Sequence, residues 1–365
     1  MKVLTILGTR PEIIRLSRVV EKLDALCDHR LVHTGQNFDP TLSDIFFQQL
    51  GVRPPDHQLG VAAENFGRQV GQMLPAVDEV LNTERPDAVL ILGDTNSGLC
   101  AMLAKRRHIA VYHMEAGNRC YDDRVPEEVN RRIIDHSSDV LMPYTERSRQ
   151  NLLREGIAGE RIYVTGNPIF EVIRHYDEAI GASDVISKLH VDVGGYFLVT
   201  MHRAENVDMK DRLLSLVTSL QRLAERHRMP VIVSTHPRTR ARMREFGVGD
   251  TDARIRFLDP LGFFDFVSLE RQAFCVVSDS GTVQEECAIF GVPNVTIRDT
   301  TERPETLECG SNILSGVESN RVVNGVDTVT KLHATWTAPA EYLVPNVSDA
   351  VVKIVLSYRE SSTRA

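Results

Sequence analysis

Short apolar runs alternate along this chain with apolar positions at helical spacing. Residues 2–7 form the first apolar run, a predicted buried strand. Gly8-Thr9-Arg10-Pro11 turns it into a helix, with Pro in the first turn where its missing N–H costs nothing. Ile13, Leu16, Val20 and Leu23 then recur at helical spacing. Further strands are predicted at 30–33, 87–92, 109–114, 139–142 and 161–165, with helical patterns around 41–50 and 64–83. The alternation restarts after residue 190, with strands at 196–201, 231–234, 254–258, 274–277 and 294–297. The segment 167–195 bridges the halves, and a last helix is expected at about 348–358 with Val351, Ile354 and Val355 on one face. This alternation predicts an α/β chain of βαβ units with parallel sheets. Two such halves predict a ligand cleft between them.

The polar residues fall at the strand ends. Arg10, Gln36, Asp94, Glu115, His202, His236, Ser280 and Arg298 each follow a predicted strand. In a doubly wound sheet such residues gather along one edge, where ligands bind. Residues 276–286 read as a strand, a turn centred on Gly281 and the start of a helix. A helix start leaves backbone N–H groups unpaired and suits a phosphate. Ser280 and Thr282 add hydroxyls, and Glu285 and Glu286 can accept from a ribose diol. An ordinary Ser/Thr/Asp cap is the other reading of this stretch.

Asp94 and Glu115 end successive strands, so both can face one ligand, and Glu127 and Glu128 open a helix nearby. Carboxylates in a partly closed site can move protons. The alternatives are an Asx cap for Asp94 and complementation of the helix dipole for Glu127 and Glu128. His202 and His236, at equivalent strand ends, can meet a pyrophosphate or a carboxylate.

Composition narrows the classes. A chain of 365 residues predicts roughly two domains, and 42% hydrophobic with 25% charged residues predicts a soluble globular protein. A net charge of −8 and a pI near 5.9 argue against a general nucleic-acid binder. There is no apolar run of membrane-spanning length, and the first apolar run is too short for a signal peptide. The six cysteines are scattered without a CxxC pair, as expected for thiols in a reducing cytosol. No H-E-x-x-H, Walker or GxSxG pattern occurs.

Several stretches together resemble the non-hydrolysing UDP-N-acetylglucosamine 2-epimerases. They are Gly8-Thr9-Arg10-Pro11-Glu12, Gly93-Asp94-Thr95, His113-Met114-Glu115-Ala116-Gly117-Asn118-Arg119, Pro126-Glu127-Glu128-Val129-Asn130-Arg131, Thr165-Gly166-Asn167-Pro168, His202-Arg203-Ala204-Glu205-Asn206, and the runs 279–286 and 298–305. They keep the family's order over about residues 1–310. The resemblance implies a GT-B-like fold of two Rossmann-like domains, 1–168 with the acid/base carboxylates and 169–345 with the UDP site, the helix of 346–365 packing back on the first. It implies a cytoplasmic isomerase, usually dimeric, that uses no metal or redox cofactor. The family interconverts UDP-GlcNAc and UDP-ManNAc by eliminating UDP to a 2-acetamidoglucal and adding it back. By the same resemblance Asp94, Glu115 and Glu127 are the acid/base carboxylates, and His202 and Arg10 neutralise the leaving UDP. Arg131, His236 and Arg303 belong to the pocket, Ser280, Gly281 and Thr282 hold phosphate, Glu286 holds ribose, and Phe263 or Phe264 stacks on uracil.

The chain departs from the family pattern at a few positions. Arg15 stands where many members have Lys, Thr282 replaces a second Gly, and Ala204 replaces an Arg. Gly35-Gln36-Asn37-Phe38-Asp39 replaces the run that in many members helps bind a second UDP-GlcNAc as activator, which leaves such activation open. The runs Gly8-Thr9-Arg10-Pro11-Glu12-Ile13-Ile14-Arg15 and Gly35-Gln36-Asn37-Phe38-Asp39, with His113-Met114-Glu115-Ala116-Gly117-Asn118-Arg119, are similar to the branch that epimerises UDP-linked 6-deoxy-L-sugars towards UDP-N-acetyl-L-fucosamine. A GT-B glycosyltransferase and a hydrolysing epimerase are the other readings. Three acidic groups favour an epimerase over the former, and the kinase domain usual in the latter is not expected here.

Overall fold

The computed structural model describes residues 1–35, 40–248, 252–332 and 336–357. The chain divides into two compact units, Met1–His175 with Glu341–Ala365, and Tyr176–Ala340. The first unit is built on β1 (Lys2–Leu7), β2 (Asp28–His33), β3 (His57–Gln58), β4 (Ala88–Leu92), β5 (Ala110–Met114) and β6 (Val140–Met142). They form one parallel sheet in the order β3-β2-β1-β4-β5-β6. The second unit holds β7 (Phe197–Thr200), β8 (Val231–Ser234), β9 (Ile255–Leu258), β10 (Cys275–Ser278), β11 (Asn294–Thr296) and β12 (Asn312–Leu314). Its parallel order is β12-β11-β10-β7-β8-β9.

Both orders are the doubly wound pattern that places a ligand crevice where the strand order reverses. That point lies between β1 and β4 in the first unit and between β7 and β10 in the second. The registers Ile6↔Ile91 and Thr200↔Ser278 bring the C-terminal ends of each pair side by side. Everything that follows β1, β4, β7 and β10 is therefore presented at one of two switch points.

The central strands β1, β4, β7 and β10 are mostly apolar, as expected of parallel strands that helices cover on both faces. Val3, Leu4, Ile6 and Leu7 of β1 are fully buried, as are Ala88–Ile91 of β4. The helix Arg10–Leu26 buries Ile13, Leu16, Val20 and Leu23, the predicted stripe. The helix Phe66–Glu84 starts at Asn65, whose side chain accepts the Arg68 N–H at 3.0 Å. The last helix, Val347–Ser357, belongs to the first unit. Lys22 Nζ donates to Ser348 Oγ at 2.6 Å and reaches Asp349 Oδ1 at 2.7 Å, while Val351 and Val355 are buried.

Three predicted details differ. No strand forms at 161–165: Gly159–Arg161 is a 3-10 turn, and a single bridge joins Leu141 to Ile162. Tyr163 and Thr165 donate to Leu141 O and Pro143 O, but Pro143 has no N–H to return, so the ladder stops. β3 and β12 are edge strands that the apolar pattern did not predict. Gln36 and the rest of the 36–39 run lie outside the described residues. Among the described residues, no helix is long and apolar enough to cross a membrane.

Candidate functional site

At the switch point of the first unit, β1 delivers Arg10 and β4 delivers Asp94. Arg10 is half-buried, with its guanidinium 5.6 Å from the Phe46 ring centroid. Asp94 faces the helix Pro126–Ser137: Arg131 Nε donates to its Oδ2 at 2.8 Å, and Nη2 lies 2.6 Å from the same oxygen. Arg131 is buried and also pairs with Glu128 at 2.6 Å. Glu128 accepts the N–H groups of Cys120 and Tyr121, both at 3.0 Å. Burial alone would raise its pKa, but those bonds and the Arg131 charge hold it below the usual range. Glu128 is thus spent on structure, whereas Glu127 of the same first turn remains half-buried.

Glu115 follows β5 in the left-handed region, at φ 65°. That is a strained choice for a residue with a Cβ, and such strain clusters at functional sites. Asn118 Nδ2 donates to its Oε1 at 3.2 Å, and the Tyr144 hydroxyl to its Oε2 at 3.2 Å. Arg15 Nη1 stands 3.6 Å from Oε2, and Arg15 is 1% exposed. A side chain at Gly93 would meet Glu115 Oε2 at 3.7 Å, so this carboxylate lies over the residue that precedes Asp94. Asp94 and Glu115 thus follow the ends of the neighbouring strands β4 and β5, and Arg131, from the helix Pro126–Ser137, pairs with Asp94.

Behind this edge sits a buried network that the sequence did not single out. Asp135 lies 2.9 Å from His113 Nδ1 and 2.7 Å from Arg119 Nη2, and it accepts the Gly117 N–H at 3.2 Å. Burial pushes its carboxyl up, but the His113 bond and the His113 and Arg119 charges hold it down overall. His113 and Arg119 flank Glu115, so the network fixes the loop that carries it.

In the second unit, Asp279 follows β10 and His202 follows β7. The fully buried Asp279 accepts the His202 N–H and the Arg203 N–H, both at 2.9 Å, and Asn206 Nδ2–H at 3.1 Å. His202 Nδ1 stands 3.1 Å from its other oxygen, and the His202 ring lies 5.7 Å from the His236 ring. His236 Nδ1 accepts the Arg238 N–H at 3.2 Å, so a neutral His236 carries its proton on Nε2.

Ser280 caps the helix Gly281–Phe290 by backbone alone; its Oγ bonds Thr282 Oγ1 at 3.0 Å. A Cβ on Gly281 would stand 2.7 Å from Glu302 Oε1, so any side chain here would force the helix start or Glu302 to shift. Arg303 is buried and pairs with the fully buried Glu285 beneath the turn. Glu286 is buried beside Glu270. Burial pushes the Glu270 carboxyl well up, and the charge and hydrogen bond of Glu286 push it further. Phe264 is half-buried, its ring 5.6 Å from Tyr176 and 5.8 Å from Phe263. Among the described residues, no group of three or more His, Cys, Asp or Glu side chains could hold a metal ion.

The matching family model, UDP-N-acetylglucosamine 2-epimerase, covers residues 21–356. The chain belongs to the UDP-N-acetylglucosamine 2-epimerase family. It is 39% identical over 350 residues to the UDP-N-acetylglucosamine 2-epimerase of Methanocaldococcus jannaschii, covering 93% of this chain and 95% of that one. It is 37% identical to the UDP-2,3-diacetamido-2,3-dideoxy-D-glucuronate 2-epimerase of Pseudomonas aeruginosa, over 90% of this chain and 92% of that one. The crystal structure of Methanocaldococcus jannaschii UDP-GlcNAc 2-epimerase in complex with UDP-GlcNAc and UDP superposes with a TM-score of 0.93 at 38% identity, covering 98% and 99% of the two chains. The fold of this epimerase-family chain is GT-B-like, and the protein is an isomerase.

Four residues that matter to this geometry were not singled out by sequence reasoning: Glu12, Asn118, Asp135 and Asp279. For Glu12 the signal was present, because Thr9-x-x-Glu12 has the spacing of a capping box.

Proposed function

We propose that this protein inverts C2 of a UDP-2-acetamido sugar, with UDP-GlcNAc and UDP-ManNAc as the pair. In the forward step one carboxylate removes the C2 proton while the C1–O bond breaks. The C–H electrons form the C1=C2 double bond, and the C1–O pair leaves on the β-phosphate of UDP. In the return step a second carboxyl delivers a proton to the opposite face of C2, and the same phosphate oxygen adds back to C1. Two proton-transfer groups are therefore needed. Asp94 and Glu115, at the ends of neighbouring strands β4 and β5, are the observation that carries this reading. Glu127, half-buried in the first turn of its helix, is the third candidate.

The second unit holds UDP in this reading. The N–H groups at the start of the helix Gly281–Phe290, the Ser280 and Thr282 hydroxyls, His202 and His236 take the pyrophosphate. Glu286 takes the ribose diol, Phe264 the uracil, and Arg303 fixes the phosphate turn from below. Arg10 and Arg131 stand beside Asp94 at the switch point of the first unit. No metal or redox cofactor enters the scheme.

Incubation with UDP-GlcNAc in D2O tests the reaction. Deuterium at C2 of a sugar still attached to UDP is the expected result, and free sugar without exchange would overturn it. Glu115→Gln is expected to abolish exchange while leaving UDP binding by calorimetry nearly unchanged. Running UDP-2,3-diacetamido and UDP-6-deoxy-L sugars in parallel ranks substrates within the class. The enzyme acts in the cytosol as a homodimer in this reading. Its six free cysteines fit a reducing compartment, and light scattering measures the dimer.

A further inference from the structure

One buried carboxylate spans the switch point of the first unit and has no part in the scheme above. Glu12 is 1% exposed, in the first turn of the helix Arg10–Leu26. Its Oε2 accepts the Gly8 N–H at 3.0 Å and the Thr9 hydroxyl at 2.7 Å. Its Oε1 accepts the Thr95 hydroxyl at 3.1 Å, across 83 residues of sequence. Gly8 and Thr9 begin the turn that carries Arg10, and Thr95 follows Asp94.

A capping role accounts for Oε2 and leaves Oε1 unexplained. Thr9 and Thr95 both occupy helix N-cap positions, and neither hydroxyl caps its own helix. Both turn to Glu12 instead. The two threonines give up local backbone bonds of a kind worth about 1 kcal/mol each, and their bonds to Glu12 join the two loops. The arrangement has a counterpart at the other switch point, where Asp279 ties the turn after β10 to the turn after β7.

We propose that Glu12 is a positioning residue of the epimerase: anchored on the Arg10 turn by the Gly8 N–H and reaching Thr95, its carboxylate fixes the Asp94 loop against that turn and sets the reach of Asp94 to the sugar. This rests on the reading of Asp94 as a proton-transfer group. A displacement of about 1 Å in such a group is enough to cost on the order of 100-fold in rate.

Thr95→Val removes only the arm to the Asp94 loop, and Thr9→Val removes only a bond within the Arg10 turn. Thr95→Val is expected to lower kcat for C2 deuterium exchange about 10- to 100-fold with KM within about 2-fold. Thr9→Val, whose Gly8 contact persists, is expected to change thermal stability while leaving kcat within about 3-fold. Thr95→Ser, which keeps the hydroxyl, is expected to return most of the rate. A Thr95→Val enzyme with wild-type kcat, or equal losses in the two valine variants, would overturn the proposal. If wild-type protein exchanges no UDP-2-acetamido sugar, the functional reading fails and the tie is still measured. Amide hydrogen exchange over residues 93–99 is then expected to rise in Thr95→Val and not in Thr9→Val, and unchanged protection in Thr95→Val would sink the tie itself.

Discussion

Asp279 holds His202 twice, through its backbone N–H at 2.9 Å and its ring Nδ1 at 3.1 Å. This orients the imidazole with Nε2 pointing away from the carboxylate, which is what a donor to a leaving phosphate needs. Burial opposes ionisation of Asp279, but the His202 charge, the His202 ring bond and the two backbone N–H bonds outweigh it and hold the carboxyl at about 2, against the usual 3.8. A depressed carboxylate stabilises the fold above its ordinary pKa, and the contribution is lost as pH falls from about 4 towards about 2. Its full size is on the order of 2 kcal/mol. Asp279→Asn should therefore be less stable than wild type by about 2 kcal/mol at neutral pH, with the gap narrowing on acidification. Urea unfolding at pH 7 and pH 3 measures this, and a gap that stays constant would contradict the assignment.

The tie between His202 and Asp279 also shows where sequence reading stops. The alternation of apolar runs was enough to place ten of the twelve strands described, and the polar residues after β1, β4, β5, β7 and β10 follow the C-terminal ends of those strands. It did not reach side chains whose partners are far along the chain. Asp279 to His202 spans 77 residues, Glu12 to Thr95 spans 83, and Arg15 to Tyr144 spans 129. Nothing local distinguishes a carboxylate that caps its own helix from one that also binds a distant loop. The misread strand at 161–165 has a similar cause: its apolar pattern is adequate, and the missing N–H belongs to Pro143 of the neighbour. β3 offers only His57 and Gln58, too short and too polar for a periodic signal.

The backbone at Glu115 yields a prediction in which stability and activity part company. A Glu at φ 65° carries strain that glycine does not, of about 1 kcal/mol. Glu115→Gly and Glu115→Ala both remove the carboxylate, and both should lose C2 exchange. The glycine variant should nevertheless be the more stable of the two by about 1 kcal/mol, provided the loop keeps its conformation. Thermal unfolding of the pair decides it, and an alanine variant equal to or above glycine would show that the loop relaxes out of the left-handed region.

Glu12 has a pH signature of its own. Burial pushes its carboxyl up from the usual 4.5 to about 7, against the opposing bonds from Thr9, Gly8 and Thr95. A raised acid favours the protonated form in the folded state. Its contribution is fully present below about 4.5 and is lost as pH rises through about 7. The loss amounts to about 3 kcal/mol over the whole window. Glu12→Gln cannot ionise, so its stability should fall less than wild type's between pH 5 and pH 8. Parallel curves from denaturant titrations across that range would mean that Glu12 keeps an ordinary pKa.

Gly281 allows the proposed phosphate seat to be tested separately from the proton chemistry. A Cβ there would stand 2.7 Å from Glu302 Oε1 and 3.8 Å from Arg303 Cζ. Glu302 cannot swing aside easily, because it is 4% exposed and Arg298 Nη1 grips its other oxygen at 2.8 Å. In Gly281→Ala the helix start must yield instead, and its N–H groups move off the line to the phosphates. UDP affinity should drop about 10-fold, the equivalent of about 1.4 kcal/mol, with a stability loss of about 1–2 kcal/mol from overpacking. Uridine lacks phosphate, so its weak binding should be unchanged in the same calorimetric titration. Equal losses for uridine and UDP would place the damage at the base or ribose rather than at the pyrophosphate.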